Sequence, residues 1–414
     1  MLKKILALCA CVVLTATAFT SCDKGGNSSS AVSGASSAAD SASDVSESLE
    51  SGNTNVVIDT KLVIDGEEIT DKDDLVMCSI GDMDISFDEF RYYWLSYSKQ
   101  LKSLGYDFET QKDEVLSLLK YQTVNDLLYT YGLMEYAKDN DLDYLASDED
   151  FETAYYSQLM NYQTEEDYVK FLTEQGLTDY ALQSTLKSYL SYEVAYNSLF
   201  GKDTGKFYVG ENAVKEVFAS DKAVRCLQIL IPYSACVELP EEDKQNWDTL
   251  TVNAKYDKLQ AAYSALSDEE KEEVKKKSLA LAEEAAARAH AGEDFYSLIE
   301  QYNYDPGMTP ASGEAYSDLK GYYFTMDYNY VEEFKEAAFQ LAENQISDVV
   351  TSNDFGYHII MRLPIDQDYV NDNIADMTQR YNEVNASVLF EEYLQDLEIT
   401  YSDYFDKLDV DSIS

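Results

Sequence analysis

Toward the end of this chain, Phe355-Gly356-Tyr357-His358-Ile359-Ile360 places its side chains on alternating sides. Phe355, Tyr357, Ile359 and Met361 fall on one side, and Gly356, His358 and Ile360 on the other. That is the period of a β-strand with both faces at least partly covered. A strand covered on two faces commits the surrounding chain to a sheet with other elements packed on it. His358, one of only two histidines, then points away from Tyr357. On the strand alone, His358 reads as a core histidine satisfied by a neighbour.

The segments upstream supply the partners for such a strand. Val224 to Ile231 is β-rich and stops at Pro232, and Gly321-Tyr322-Tyr323-Phe324 predicts a second short strand. An acidic stretch with Pro240 and Trp247 predicts a loop and a short helix. Ala254 to Ala291, rich in Ala, Glu, Lys and Leu, predicts one long helix or a broken pair, stopped by Gly292. Phe295 to Tyr302 is helical in pattern, Asp305-Pro306-Gly307 opens a loop, and Val331 to Leu341 predicts an amphipathic helix with Phe334, Ala337, Ala338 and Leu341 inward. The order β, α, α, β, α, β over residues 223–366 predicts an α+β fold with helices on a small sheet.

Residues 55–222 read differently. Val56-Val57-Ile58, Leu62-Val63-Ile64 and Met77 to Ile80 predict short strands ahead of turns. Ser86 with Glu89 three residues on predicts a capping box. The helix it opens carries Phe90, Tyr93, Trp94 and Tyr97 on one face. A second helix is predicted from about Thr110 to Asn140, and two or three more between Ser147 and Leu199, broken at Gly176. Residues 367–414 look helical through residue 406 and are expected to rejoin this helical domain, which makes the sheet domain an insertion in it.

Charge excludes some functions. With 78 acidic and 31 basic residues the formal charge is −47. Such a surface repels nucleic acid and anionic headgroups. There is no calcium loop of the D-x-[DN]-x-[DN]-G type, no CxxC and no zinc spacing, so no metal or other cofactor is expected. The 35 tyrosines offer contact area with a polar tip, and some are expected to line a surface that handles varied peptides.

The start of the chain bears on the compartment. Lys3-Lys4 and the apolar run Ile5 to Val13 form a signal peptide over residues 1–21. Phe19-Thr20-Ser21-Cys22 resembles a bacterial lipobox, with Phe19 where Leu is usual; a plain secretory signal is the alternative. The lipobox reading predicts lipid on Cys22, a flexible Ser/Gly-rich tether over residues 22–54, and an extracytoplasmic protein anchored to the cell membrane. Cys78, Cys226 and Cys236 are expected as buried free thiols, although Cys226 and Cys236 are close enough in sequence to bridge. His290 is read as a solvated residue at a helix C-terminus.

Several of these stretches resemble one family. Ala289 to Tyr302, the Asp305-Pro306-Gly307 loop, Glu332 to Phe339 with Leu341, Gln345-Ile346-Ser347, and Phe355 to Ile360 are similar, in order and spacing, to the parvulin peptidyl-prolyl isomerases. The flanking helical segments, including Ile85-Ser86-Phe87-Asp88-Glu89-Phe90, resemble the chaperone domain of PrsA- and SurA-type foldases. The resemblance implies that His358 stands on the floor of a proline pocket and Asp305 at its mouth. It implies that Phe334 lines the wall and that Tyr330 takes the place of an apolar residue gripping the prolyl ring. The family's first strand carries a histidine where this chain has Gln228-Ile229-Leu230-Ile231. The implied function is a foldase that isomerises X-Pro bonds in unfolded or partly folded secreted proteins and holds such chains. The alternative is a degenerate parvulin acting only as a tethered chaperone. A solute-binding lipoprotein is disfavoured because the alternating βα pattern of those folds is missing.

Overall fold

The structure is a computed structural model that describes residues 60–70, 72, 75–244 and 246–414. The signal peptide, Cys22, the tether and the Val56-Val57-Ile58 strand lie outside the described residues. The chain divides into two compact units. One comprises the chain up to Tyr208 together with Leu389–Ser414, and the other is Val209–Val388.

The first unit is mainly helical. β1 (Val63–Ile64) and β2 (Glu67–Glu68) form a small hairpin, and β3 (Val76–Ile80) pairs with β4 (Met83–Ser86). Five helices follow, Phe87–Ser103, Lys112–Asp139, Asp148–Leu159, Glu165–Gln175 and Asp179–Phe200. The break expected at Gly176 is the end of the fourth, where glycine takes a left-handed conformation. Ser86 caps the first helix by accepting from the Glu89 N–H, but the reciprocal half of the expected capping box is missing. The Glu89 carboxylate turns inward and accepts from the hydroxyls of Tyr131, Ser184 and Ser188. Three hydroxyl donors from two other helices satisfy a buried carboxylate better than one backbone N–H. Burial nevertheless raises its pKa.

The tail also departs from expectation. It is not helical through residue 406: the last helix, Ile374–Asp396, ends and β9 (Ile399–Tyr401) follows. β9 pairs antiparallel with β3, Cys78 opposite Tyr401. The free edge of the β3–β4 hairpin and the β-branched Ile399-Thr400 favour a strand there over another helical turn.

The second unit is an α+β fold. β5 (Ala223–Pro232) is central in a four-stranded antiparallel sheet of order β6–β5–β8–β7, with β6 at Tyr322–Thr325, β7 at Val350–Thr351 and β8 at Gly356–Leu363. The pleat sorts the core. Leu227, Ile229 and Ile231 with Tyr357 and Ile359 face the helices Asp268–His290 and Phe295–Tyr302. Val224, Cys226, Phe324 and Ile360 face Phe334 and Ala338 of the helix Glu332–Gln340. The Ala/Glu-rich stretch is a broken pair, Val252–Ser264 and Asp268–His290, separated by a full capping box of Ser267 with Glu270. The described cysteines are free thiols. Cys78 and Cys226 are buried as expected, whereas Cys236 is only half-buried because it lies in the turn after β5. Among the described residues no helix is long and apolar enough to cross a membrane.

β8 begins at a position that only glycine fills well. Gly356 has φ +144°, and a Cβ there would lie 2.3 Å from the Ile231 carbonyl oxygen and 2.7 Å from the Pro232 Cα. Both are backbone atoms of the paired strand and have no rotamer with which to retreat. Gly356→Ala is expected to destabilise this unit by about 3 kcal/mol, read as a lower urea midpoint; an unchanged midpoint would contradict this account of the strand pairing.

Candidate active site

The register of β5 on β8 brings the polar residues together. Gln228 stands opposite Ile360 and Leu230 opposite His358, so Gln228 and His358 are diagonal neighbours on one face. The Gln228 carbonyl lies 2.8 Å from His358 Nδ1, and its amide donates to the Asp305 carboxylate. On the far side of the ring, His358 Nε2 lies 2.9 Å from the Ser352 hydroxyl. Gln228, Asp305, His358 and Ser352 are all buried.

Asp305 is held by its own loop. Its backbone N–H donates to Asn303 Oδ1, which also accepts from the Leu230 N–H, so the loop is pinned to β5. The carboxylate accepts from the Gly307 N–H and from the Tyr322 hydroxyl at 2.8 Å. A side chain at residue 307 would occupy the space of that hydroxyl, since a Cβ there would fall 1.9 Å from it. Tyr322 is thereby kept un-ionised, its pKa raised by burial and by the adjacent Asp305 charge.

These contacts fix the proton positions. A carboxylate accepts only, so Gln228 must present its NH₂ to Asp305 and its carbonyl to His358. His358 then carries its proton on Nδ1, and Nε2 accepts from Ser352. Burial pushes the imidazole down from its ordinary 6.5 to about 4, against a smaller upward pull from Glu333. The floor is therefore a neutral imidazole between two hydrogen bonds.

Above this floor opens a pocket of about 300 Å³. Phe334, with its ring centroid 5.9 Å from that of His358, and Tyr330, 6.0 Å from Phe334, form a wall with Tyr322. Tyr256, Tyr304 and Phe355 line other parts of it. Ile360 packs in the same cluster as Phe334. The structure thus brings Gln228, Asp305, His358, Phe334 and Tyr330 to one cavity. Tyr322 also lines it, and the fully buried Ser352 supports its floor through His358; neither was singled out by the sequence. Tyr322 lies in a stretch whose pattern showed only a strand, and Ser352 precedes β8 by too few residues to look like a separate element. Tyr256 comes from Val252–Ser264, the first helix of the Ala/Glu-rich pair, where nothing in the pattern marks a pocket residue. Among the described residues no group of three or more His, Cys, Asp or Glu is placed to hold a metal ion.

Residues 247–363 match the family of the PPIC-type PPIASE domain. The chain carries a parvulin-type isomerase domain. The Foldase protein PrsA of Geobacillus sp. (strain WCH70) is similar to it at 40% identity over 79 residues, which is 19% of this chain and 26% of that protein. Foldase protein PrsA 4 of Bacillus cereus is 28% identical over 158 residues, 38% of this chain and 47% of that protein. The chain thus matches about a quarter to a half of the length of these curated relatives. The crystal structure of a peptidylprolyl isomerase, PrsA of Bacillus anthracis, aligns with 66% of this chain and 94% of its own at 19% identity, with a TM-score of 0.33.

In the parvulin domain the burial of His358 has a measurable consequence. Between pH 6.5 and about 4 the unfolded chain binds a proton that the folded domain does not. Stability linked to His358 is therefore complete above 6.5 and declines as the pH falls through this window. In a His290→Ala protein, which leaves one imidazole, NMR titration is expected to give a midpoint near 4; a midpoint near 6.5 would mean that the ring is solvated.

Proposed function

We infer that this protein is an extracytoplasmic foldase. Its parvulin domain isomerises X-Pro bonds in secreted proteins, the chain also holds unfolded clients, and lipid on Cys22 tethers it to the membrane. One observation carries the isomerase part: the unbroken Asp305–Gln228–His358–Ser352 network lies under an aromatic-walled pocket large enough for a prolyl ring.

The chemistry asks little of the protein in the way of reactive groups. Rotation about an X-Pro bond is slow because amide resonance must be lost, a barrier of about 20 kcal/mol. No bond is broken. The catalyst has only to bind the twisted imide better than either planar isomer. Phe334, Tyr330 and Tyr322 desolvate the prolyl ring and its amide, which disfavours the charge-separated planar form. The Asp305 charge beside the mouth acts in the same direction, because the planar amide carries the larger negative charge on its oxygen. Asp305 is engaged by three donors and serves as a fixed potential, not a nucleophile. His358 and Gln228 hold the floor rigid, so little reorganisation accompanies the twist.

A second reading rests on Gln228. With no imidazole at that position, the domain would bind prolyl segments without accelerating them, and the protein would serve as a chaperone alone. A protease-coupled assay on a short X-Pro peptide, beside an aggregation assay on an unfolded client, separates the two. Turnover is expected, with His358→Ala lowering kcat/KM about tenfold to a hundredfold and leaving aggregation suppression unchanged. No rate above background in the parent protein, with aggregation still suppressed, would leave the chaperone-only reading. Equal loss of both activities in His358→Ala would make His358 purely structural.

A further inference from the structure

Beside the proline pocket, within the same compact unit, lies a second cavity of about 280 Å³. Tyr322 belongs to both linings, so the two cavities adjoin at this residue. Tyr322, Tyr323, Tyr328 and Tyr369 give the second cavity an aromatic wall. The helix Ile374–Asp396 contributes Asp376 and Arg380.

Arg380 is unusual in this chain. Of the five arginines, Arg91, Arg225, Arg288 and Arg362 each donate to carbonyl, hydroxyl or carboxylate oxygens. Arg380 makes no hydrogen bond or ion pair with any described residue, although it stands in a chain with 78 acidic side chains. Asp376, four residues earlier on the same helix face, is equally without a partner among the described residues. The two do not bridge each other, so a carboxylate acceptor and a guanidinium fork stand side by side, each unpaired, facing tyrosines. Asn373 is already engaged with the Tyr369 carbonyl and is not part of this pair.

The pairing narrows the ligand. A simple anion is repelled by Asp376 and a simple cation by Arg380. A group that carries a donor and an acceptor at neighbouring positions satisfies both, and an extended peptide backbone is such a group. Tyrosines add contact area tolerant of many side chains. We propose that this cleft is a client subsite, in which Asp376 accepts from a backbone N–H and Arg380 donates to a backbone carbonyl of the segment flanking the bound proline. This rests on the foldase reading and extends it to a substrate class: unfolded segments longer than the X-Pro unit, held without regard to sequence. Because Tyr322 lines both cavities, an extended chain leaving the proline pocket past that residue enters the cleft directly.

The test compares a blocked tetrapeptide containing one X-Pro bond with an uncharged peptide of about twelve residues centred on the same bond, using the full-length protein. Arg380→Ala and Asp376→Ala are each expected to raise KM for the long peptide about fivefold with kcat unchanged, and to leave the tetrapeptide kinetics as they were. An unaltered ratio of long- to short-peptide kcat/KM would overturn the subsite while leaving the isomerase standing. If the parent protein turns over neither peptide, the isomerase reading fails on its own. Fluorescence anisotropy of the labelled long peptide then reads the subsite directly: about fivefold weaker binding in Arg380→Ala supports it, and equal binding overturns it.

Discussion

The site depends on one property of one side chain: ionised Asp305 accepts hydrogen bonds and cannot donate them. From that follows the orientation of the Gln228 amide, then the tautomer of His358, then the direction of the Ser352 hydroxyl. Four residues from β5, the loop after Phe295–Tyr302, β8 and the turn before it become a single directed chain. The loop is itself tied to β5 through Asn303 and Leu230, so the charge that sets the direction cannot drift. Rigid floors of this kind follow from satisfied buried polar networks, because each member loses a full hydrogen bond if it moves.

The fold was largely legible because its periodicities are strong. The alternation over Gly356 to Met361, the apolar run before Pro232 and the helical pattern over Glu332–Gln340 each had one physical solution, whereas Phe355 lies before the strand and lines the pocket with His358 instead of facing away from it. Reading failed where local pattern met a tertiary competitor. Glu89 satisfied the spacing of a capping box, yet it was drawn inward by hydroxyls of Tyr131, Ser184 and Ser188 that only the folded helices bring together. Ile399-Thr400-Tyr401 continued a helical stretch in sequence but met the open edge of β3. The site divides in the same way. Gln228, Asp305, His358, Phe334 and Tyr330 came from matching a family's order of residues. Tyr322 and Ser352 entered through hydrogen bonds that no sequence spacing encodes.

The surface and the pocket also differ in electrostatic character. The chain carries a formal charge of −47, yet the floor of its pocket is neutral and its walls are aromatic. The one carboxylate there is shielded by three donors. Long-range charge therefore acts on any charged molecule that approaches, whereas selection at the pocket falls to shape and desolvation.

Gln228 can be weighed on the same terms. A histidine at that position would also donate an N–H toward Asp305 and accept through its other nitrogen from His358 Nδ1. The amide reproduces that polarity: NH₂ toward the carboxylate, carbonyl toward the ring. What it does not reproduce is titration, since an amide neither gains nor loses a proton near neutral pH. If the family's first-strand imidazole worked by shuttling a proton, the substitution would abolish the reaction. X-Pro rotation moves no proton and breaks no bond, so such a reaction would draw on the direction of the network, which Gln228 keeps, and on its rigidity. The replacement is then a change of side chain within an unchanged hydrogen-bond scheme, and its main physical cost is a less rigid link, an amide on two methylenes in place of a ring.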